Sequence, residues 1–277
     1  MVDLSVTGGN IELSNDALLT MTDSDAQVLS GNFTTNDNVN MAMTSTPLLV
    51  EGTVVFNAPL HTFDNSPITI NSLGASGLQV NGNAVTNANN SPIVINSGDM
   101  DFNDNSNLRA SDSDITVNNG SVNFSGGSLL EFLLSTSLTI NDGDFNLRDS
   151  AQMIASATSI DVLGGQFRVF NQVSLDFDDV DIFIGSGNAE FSDDSQITLR
   201  NSDVHVTEGN FVTRDNAALD FTDSPVLVEG SIVLNGQSHS FVRSPITVDS
   251  LNAGGFQSSG SATVTTTASP IVINSGD

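Results

Sequence analysis

Residues 1–99 align without a gap on residues 179–277, with 47 of the 99 pairs identical at a constant offset of 178. "SPIVINSGD" occurs letter for letter at 91–99 and again at 269–277, and "TPLLVEGTVVF" from Thr46 meets "SPVLVEGSIVL" from Ser224. A 178-residue unit has therefore been duplicated. A shorter period lies inside it, marked by a Gly, a small polar residue and an apolar residue: "GNI" at Gly9, "GNF" at Gly31, "GTV" at Gly52, "GDM" at Gly98, "GSV" at Gly120, "GDF" at Gly143, "GQF" at Gly165, "GNA" at Gly187, "GNF" at Gly209 and "GSI" at Gly230. The spacing is 21 to 23 residues, and the 46-residue intervals from 52 to 98 and from 230 to 276 each hold two periods. The unit is thus eight periods long, and a fixed period of this size is the mark of a solenoid.

Each period alternates apolar and polar residues in three short bursts, the two-residue periodicity of a strand with one buried face. In the period opened by Gly187, Ala189 and Phe191, then Ile197 and Leu199, then Val204 and Val206 share one side; Phe167, Val169, Leu175, Phe177, Ile182 and Ile184 repeat the scheme one period earlier. Val, Ile, Thr and Phe suit strands, and no segment carries a helical stripe. The prediction is an all-β fold: residues 1–277 as a single continuous parallel β-solenoid (β-helix) of about twelve triangular coils, with strands of five or six residues on each side.

Bend residues agree with that reading. Six positions after the marker come Asn15, Asp37, Asp104, Gly126, Asp149, Asn171, Asp193, Asp215 and Gly236, with Ala58 the exception, and Asn, Asp and Gly tolerate the left-handed conformation of a tight turn. Six of the seven prolines, Pro47, Pro67, Pro92, Pro225, Pro245 and Pro270, stand just before the third strand, where a missing N–H is tolerated. One coil cannot bury its own faces, so stability is collective and the ends of a stack are open edges. Neither end of the sequence reads as a cap. Met1 falls where Asp179 falls in the repeat and Asp277 is the second residue of a new coil. The expected partner is therefore more of the same: end-to-end or lateral self-association, or further repeats of the same chain.

Composition narrows the classes of function. Cys, Trp, Tyr and Lys are absent, and 33 Asp and Glu against six Arg give a net charge of −27. Such a charge excludes nucleic acid as a partner and disfavours anionic lipid. No apolar run approaches spanning length, so membrane insertion is not expected. "MVDLSVTGGN" has neither the basic head nor the apolar run of a signal peptide.

The coil written "GNF…AALDF…SPVLVEG", from Gly209 to Gly230, resembles the right-handed β-helical stalks of filamentous-haemagglutinin-type adhesins, autotransporter passenger domains and related giant surface proteins. The resemblance lies in pattern and coil length and runs through the whole chain. It implies a right-handed coil and an extracellular or cell-surface fibre, filament or adhesin stalk without catalysis. The chain departs from those proteins in lacking Lys, Tyr and Trp and in its 178-residue super-repeat.

The alternative is a β-helical carbohydrate-binding or polysaccharide-degrading surface protein. Such an enzyme needs clustered carboxylates with a basic residue, and aromatic platforms for sugar rings. Here Arg109, Arg148, Arg168, Arg200, Arg214 and Arg243 are scattered singly, and the paired acids Asp178–Asp179 and Asp193–Asp194 are sequence neighbours, which on a strand point apart. No catalytic, cofactor-binding or metal-ligating residue is assigned. His61 and His239 are equivalent in the two copies and His205 matches Gln27; without a partner at ligand spacing they read as inherited surface residues. No cofactor is expected, and the one candidate cation is calcium at the Asp-rich turns, where stacking brings equivalent carboxylates to about 4.8 Å. Asn32, Asn89, Asn119 and Asn123 sit in N-x-S/T patterns that a chain rich in Asn, Ser and Thr produces by chance. "SATVTTTAS" at 261–269 is the only dense Thr run, and its counterpart "NAVTNANNS" does not maintain it, which argues against an ice-binding face.

Overall fold

A strand with one apolar face must bury it, and a chain that repeats the same three faces at a fixed period does so by coiling over itself. The computed structural model describes residues 3–250 and 255–275; Met1, Gly276 and Asp277, on which the reading of the ends rests, lie outside them. The described residues form 33 strands and no helix. They fall into two compact units, Met1–Asp142 and Gly143–Asp277. Each unit is a parallel β-solenoid, and together they hold about twelve coils.

In the first unit the coil opened by Gly31 has strands Phe33–Thr35, Asn40–Thr44 and Leu48–Val50, which pair in parallel with the next coil through Phe33–Val54, Met41–His61 and Leu48–Ile68. In the second unit the coil opened by Gly209 has strands Phe211–Thr213, Ala218–Thr222 and Val226–Val228, pairing onward through Phe211–Ile232, Leu219–His239 and Val226–Ile246. In both of these coils only the second strand reaches five residues. The first and third hold three, fewer than the five or six expected, because the corners take up the rest of each period.

The inward residues predicted for the coils at Gly165 and Gly187 are all buried. A further inward position follows the first corner and carries small residues: Val39, Ala84, Ala151, Val173 and Ala217, or Ser106, Ser128 and Ser195. Phenylalanines stack from coil to coil, with Phe102 and Phe124 at 4.6 Å and 9° in the first unit and Phe145 and Phe167 at 5.0 Å in the second. The marker glycine is explained by close approach of backbones. A Cβ at Gly209 would overlap the carbonyl oxygen of Gly187, and one at Gly31 that of Gly9, so no residue with a side chain fits.

Coil length varies more than the sequence suggests. Gly77 opens the coil hidden between Gly52 and Gly98 and divides that interval unequally. The coil from Gly52 to Gly77 exceeds the predicted range because the chain bulges between Ile70 and Leu78, where the pairing register slips, and Leu73 at the bulge is 99% exposed.

Asn15, Asp37, Asp104, Gly126, Asp149, Asn171, Asp193 and Asp215 take the left-handed conformation, as predicted. Gly236 does not. It is glycine for room, since a Cβ there would meet the Ala217 carbonyl oxygen and the His239 ring. A second left-handed residue in each coil was not read from the sequence: Asp23, Ser45, Asn65, Asn90, Asp112, Ser135, Ala157, Asp179, Asn201, Asp223, Arg243 and Ala268. The prolines follow this corner and remain useful as acceptors, the Ala26, Leu48 and Val226 N–H groups donating to the carbonyls of Pro47, Pro67 and Pro245.

Candidate functional site: coil corners and buried histidines

Between the second left-handed residue and the proline stands a Ser or Thr with no solvent exposure: Thr46, Ser66 and Ser91 in the first unit, Ser224 and Ser244 in the second. Each hydroxyl closes the corner by donating to the carbonyl two residues back, as Thr46 does to Thr44 at 2.9 Å and Ser224 to Thr222 at 2.9 Å. It also accepts the N–H of its equivalent one coil earlier. The Thr46 N–H donates to Ser66 Oγ at 3.0 Å, Ser66 to Ser91 at 2.8 Å, and Ser91 to Ser113 at 2.9 Å. Ser202, Ser224 and Ser244 N–H groups donate in the same way to Ser224, Ser244 and Ser269 at 3.1, 2.9 and 2.8 Å. A buried hydroxyl thus completes the backbone ladder where the strands break, which removes the cost of orphaned donors. The signal was present in the sequence as a Ser or Thr directly before each of those six prolines.

Outside the corners of the first unit run amide ladders. The Asn71 amide donates to Glu51 Oε1 at 2.9 Å, Asn96 to Asn71 at 2.6 Å, Asn118 to Asn96 at 2.8 Å and Asn141 to Asn118 at 2.6 Å. A second series runs from Asn103 through Asn81, Asn57 and Asn36 to Glu12 at 2.8 to 3.0 Å. Every amide donates toward the N-terminus and each series ends on a carboxylate, so the dipoles align and polarise one another. Ion pairs between coils join Arg109 to Glu131 at 2.8 Å in the first unit and are more numerous in the second: Arg168 with Asp144 at 2.8 Å, Arg214 with Glu190 at 3.1 Å, and Arg200 with Asp176. These pairs are exposed enough to contribute little stability each, yet they neutralise a carboxylate in each of several successive coils.

The acidic turns follow the same rule. Asn171 donates to Asp149 at 2.9 Å, Asn216 to Asp194 at 2.7 Å, Asn201 to Asp178 at 2.9 Å and Asn38 to Asp16 at 3.1 Å. Of the turn carboxylates offered to calcium by the sequence reading, Asp149 accepts the Asn171 amide, Asp37 the backbone N–H of Asn15 at 2.9 Å and Asp104 that of Gly82 at 3.2 Å. Among the described residues, no group of three His, Asp or Glu is placed to hold a metal. One carboxyl departs from the pattern: burial, together with the neighbouring Asp181 charge, pushes the Asp161 pKa up. Of the N-x-S/T asparagines, Asn32, Asn89 and Asn119 are exposed, whereas Asn123 donates its amide to Asp101 at 2.8 Å.

The histidines overturn one expectation. His61 and His239 are not surface residues; both rings are fully buried, because their positions lie in the inward column that carries Met41 and Leu219 in the neighbouring coils. Each ring meets a threonine of the coil before it. His61 Nε2 lies 2.7 Å from Thr35 Oγ1, and His239 Nε2 lies 3.2 Å from Thr213 Oγ1. Nδ1 of both rings has no hydrogen-bond partner. Burial pulls both pKa values down to about 4, opposed at His61 by the nearby Val85 backbone. The signal available in the sequence was a pair of coupled exceptions: Thr at an otherwise apolar position, followed in the next coil by His, in both copies. His205 alone is at the surface, 3.0 Å from Glu229 and edge-on to Phe183.

Comparison with protein families, with characterised proteins and with solved structures found no match.

Proposed function

We propose that this chain is a structural element of an extracellular or cell-surface fibre, filament or adhesin stalk, extended by stacking coil on coil and without catalysis. The observation that carries the reading is the polarity of the corner ladders. From Thr46 to Ser113 in the first unit and from Ser202 to Ser269 in the second, the same hydroxyl position accepts an N–H from the coil before, in constant register. A repeat built this way presents, at each coil edge, the complement of the coil before it, so a further repeat or another copy can continue the series. The alternation of amides with carboxylates supports the same role, since it lets a chain of charge −27 stack its acidic turns with less repulsion.

Electron microscopy with fibre diffraction tests this reading. The expected result is unbranched fibres about 20 to 30 Å thick per solenoid, with an axial reflection near 4.8 Å. A monodisperse particle that stays so at millimolar concentration would overturn the reading and favour the carbohydrate-binding alternative.

A further inference from the structure

Among the described residues, His61 is the one buried ionisable group of the first unit and His239 that of the second. A buried base without a carboxylate partner can be accommodated only when neutral. The surroundings of His239 enforce this. Thr213 Oγ1 accepts the N–H groups of Asn235 and Gly236 at 3.1 and 3.2 Å, so its own hydrogen is left to donate to Nε2 at 3.2 Å. Protonating Nε2 sets N–H against O–H, and no acceptor remains. At His61 the Thr35 hydroxyl holds the same place at 2.7 Å, and the ring lies flat on Phe56 with centroids 4.0 Å apart.

Among the described residues, no buried charge in either unit offsets that. The strands packed against His61 turn Phe33, Met41, Val54, Phe56 and Thr86 inward, and the carboxylate on its own strand, Asp64, lies outside the core. Around His239 the inward residues are Thr213, Leu219, Phe221, Ile232 and Leu234, and Asp220 stands on the outer face.

We propose that the Thr35–His61 and Thr213–His239 pairs are acid-sensitive latches: protonation of the buried ring opens the coils around it, so each unit loosens in mild acid and closes again at neutral pH. The inference concerns each unit by itself and holds whether or not chains assemble. In the unfolded chain the imidazole takes up its proton near pH 6.5, in the folded chain only near 4. Between these values the unfolded state holds more protons, so stability is complete above about 6.5, falls as pH drops toward 4, and levels off below. Each histidine shifts the folding equilibrium by on the order of a hundredfold across that window.

Histidine hydrogen–deuterium exchange read by mass spectrometry on the intact chain gives each imidazole its own titration, with His205 as the surface reference. The expected result is that His61 and His239 stay neutral to about pH 4 while folded, and that circular dichroism shows reversible loss of strand signal with acid. The variant H61M/H239L, which installs the residues of the adjoining coils, should lose at least tenfold of the acid effect on the folding equilibrium between pH 6.5 and 4. Titration of both rings near 6.5 in the folded chain would overturn the proposal. So would a folded double variant with the full acid effect. If the double variant does not fold, the titration of the unmodified chain decides.

Discussion

The coils opened by Gly52 and Gly230 are one coil written twice, once in each copy of the long repeat, and each buries its histidine against a threonine of the coil before. They pack that histidine differently. In the first copy Phe56 stacks on the ring and Ala58 fills the corner; in the second the same positions are Leu234 and Gly236, and the ring occupies the space a side chain at Gly236 would need. The polar contact is constant while the apolar filling is redistributed, as expected where a core must keep its hydrogen bond but can meet its volume in more than one way. The outer corner diverges further. Asn71 donates to Glu51 in the first copy, but its counterpart is Asp249, and Glu229 takes His205 instead.

The comparison can be broken most severely from inside. Phe56→Asp and Leu234→Asp each place a carboxylate at a position with no solvent exposure, and each should cost about 5 kcal/mol or more. Denaturant titration followed by circular dichroism measures it, and tolerance of either change would mean that the copy concerned admits water to its core.

A smaller effect separates the copies. Gly236→Ala gives the second copy the corner of the first, yet the new methyl meets the Ala217 carbonyl and the His239 ring, at a cost of about 2 kcal/mol. The reciprocal Ala58→Gly should cost about 1 kcal/mol, through backbone freedom and one lost methyl. Equal costs in thermal melts would show that the two rings sit alike.

The smallest effect is a gain. Asp249→Asn restores the amide that stands at Asn71 in the first copy and removes a carboxylate near Glu229, so the second unit should gain on the order of 0.5 kcal/mol, the worth of one cross-strand pair. Asn71→Asp in the first copy should lose a similar amount, read by the same thermal melts.

Periodicity alone determined most of the architecture. Three strands per coil, their parallel pairing, the inward set and the proline corner follow from an alternation of apolar and polar residues that recurs at a fixed period, because a strand face that repeats identically can be buried only against its own equivalents. The first left-handed corner followed from Asn and Asp, whose short side chains tolerate that conformation. Tertiary structure decided what depends on the neighbouring coil. The marker glycine answers to a carbonyl one coil away, the Ser and Thr before proline to an N–H one coil away, and the inwardness of His61 and His239 to the register that sets them beside Met41 and Leu219. A polar residue in a strand is assigned outward by its chemistry, and only the stack, by placing Thr35 and Thr213 within reach, shows that these two point in.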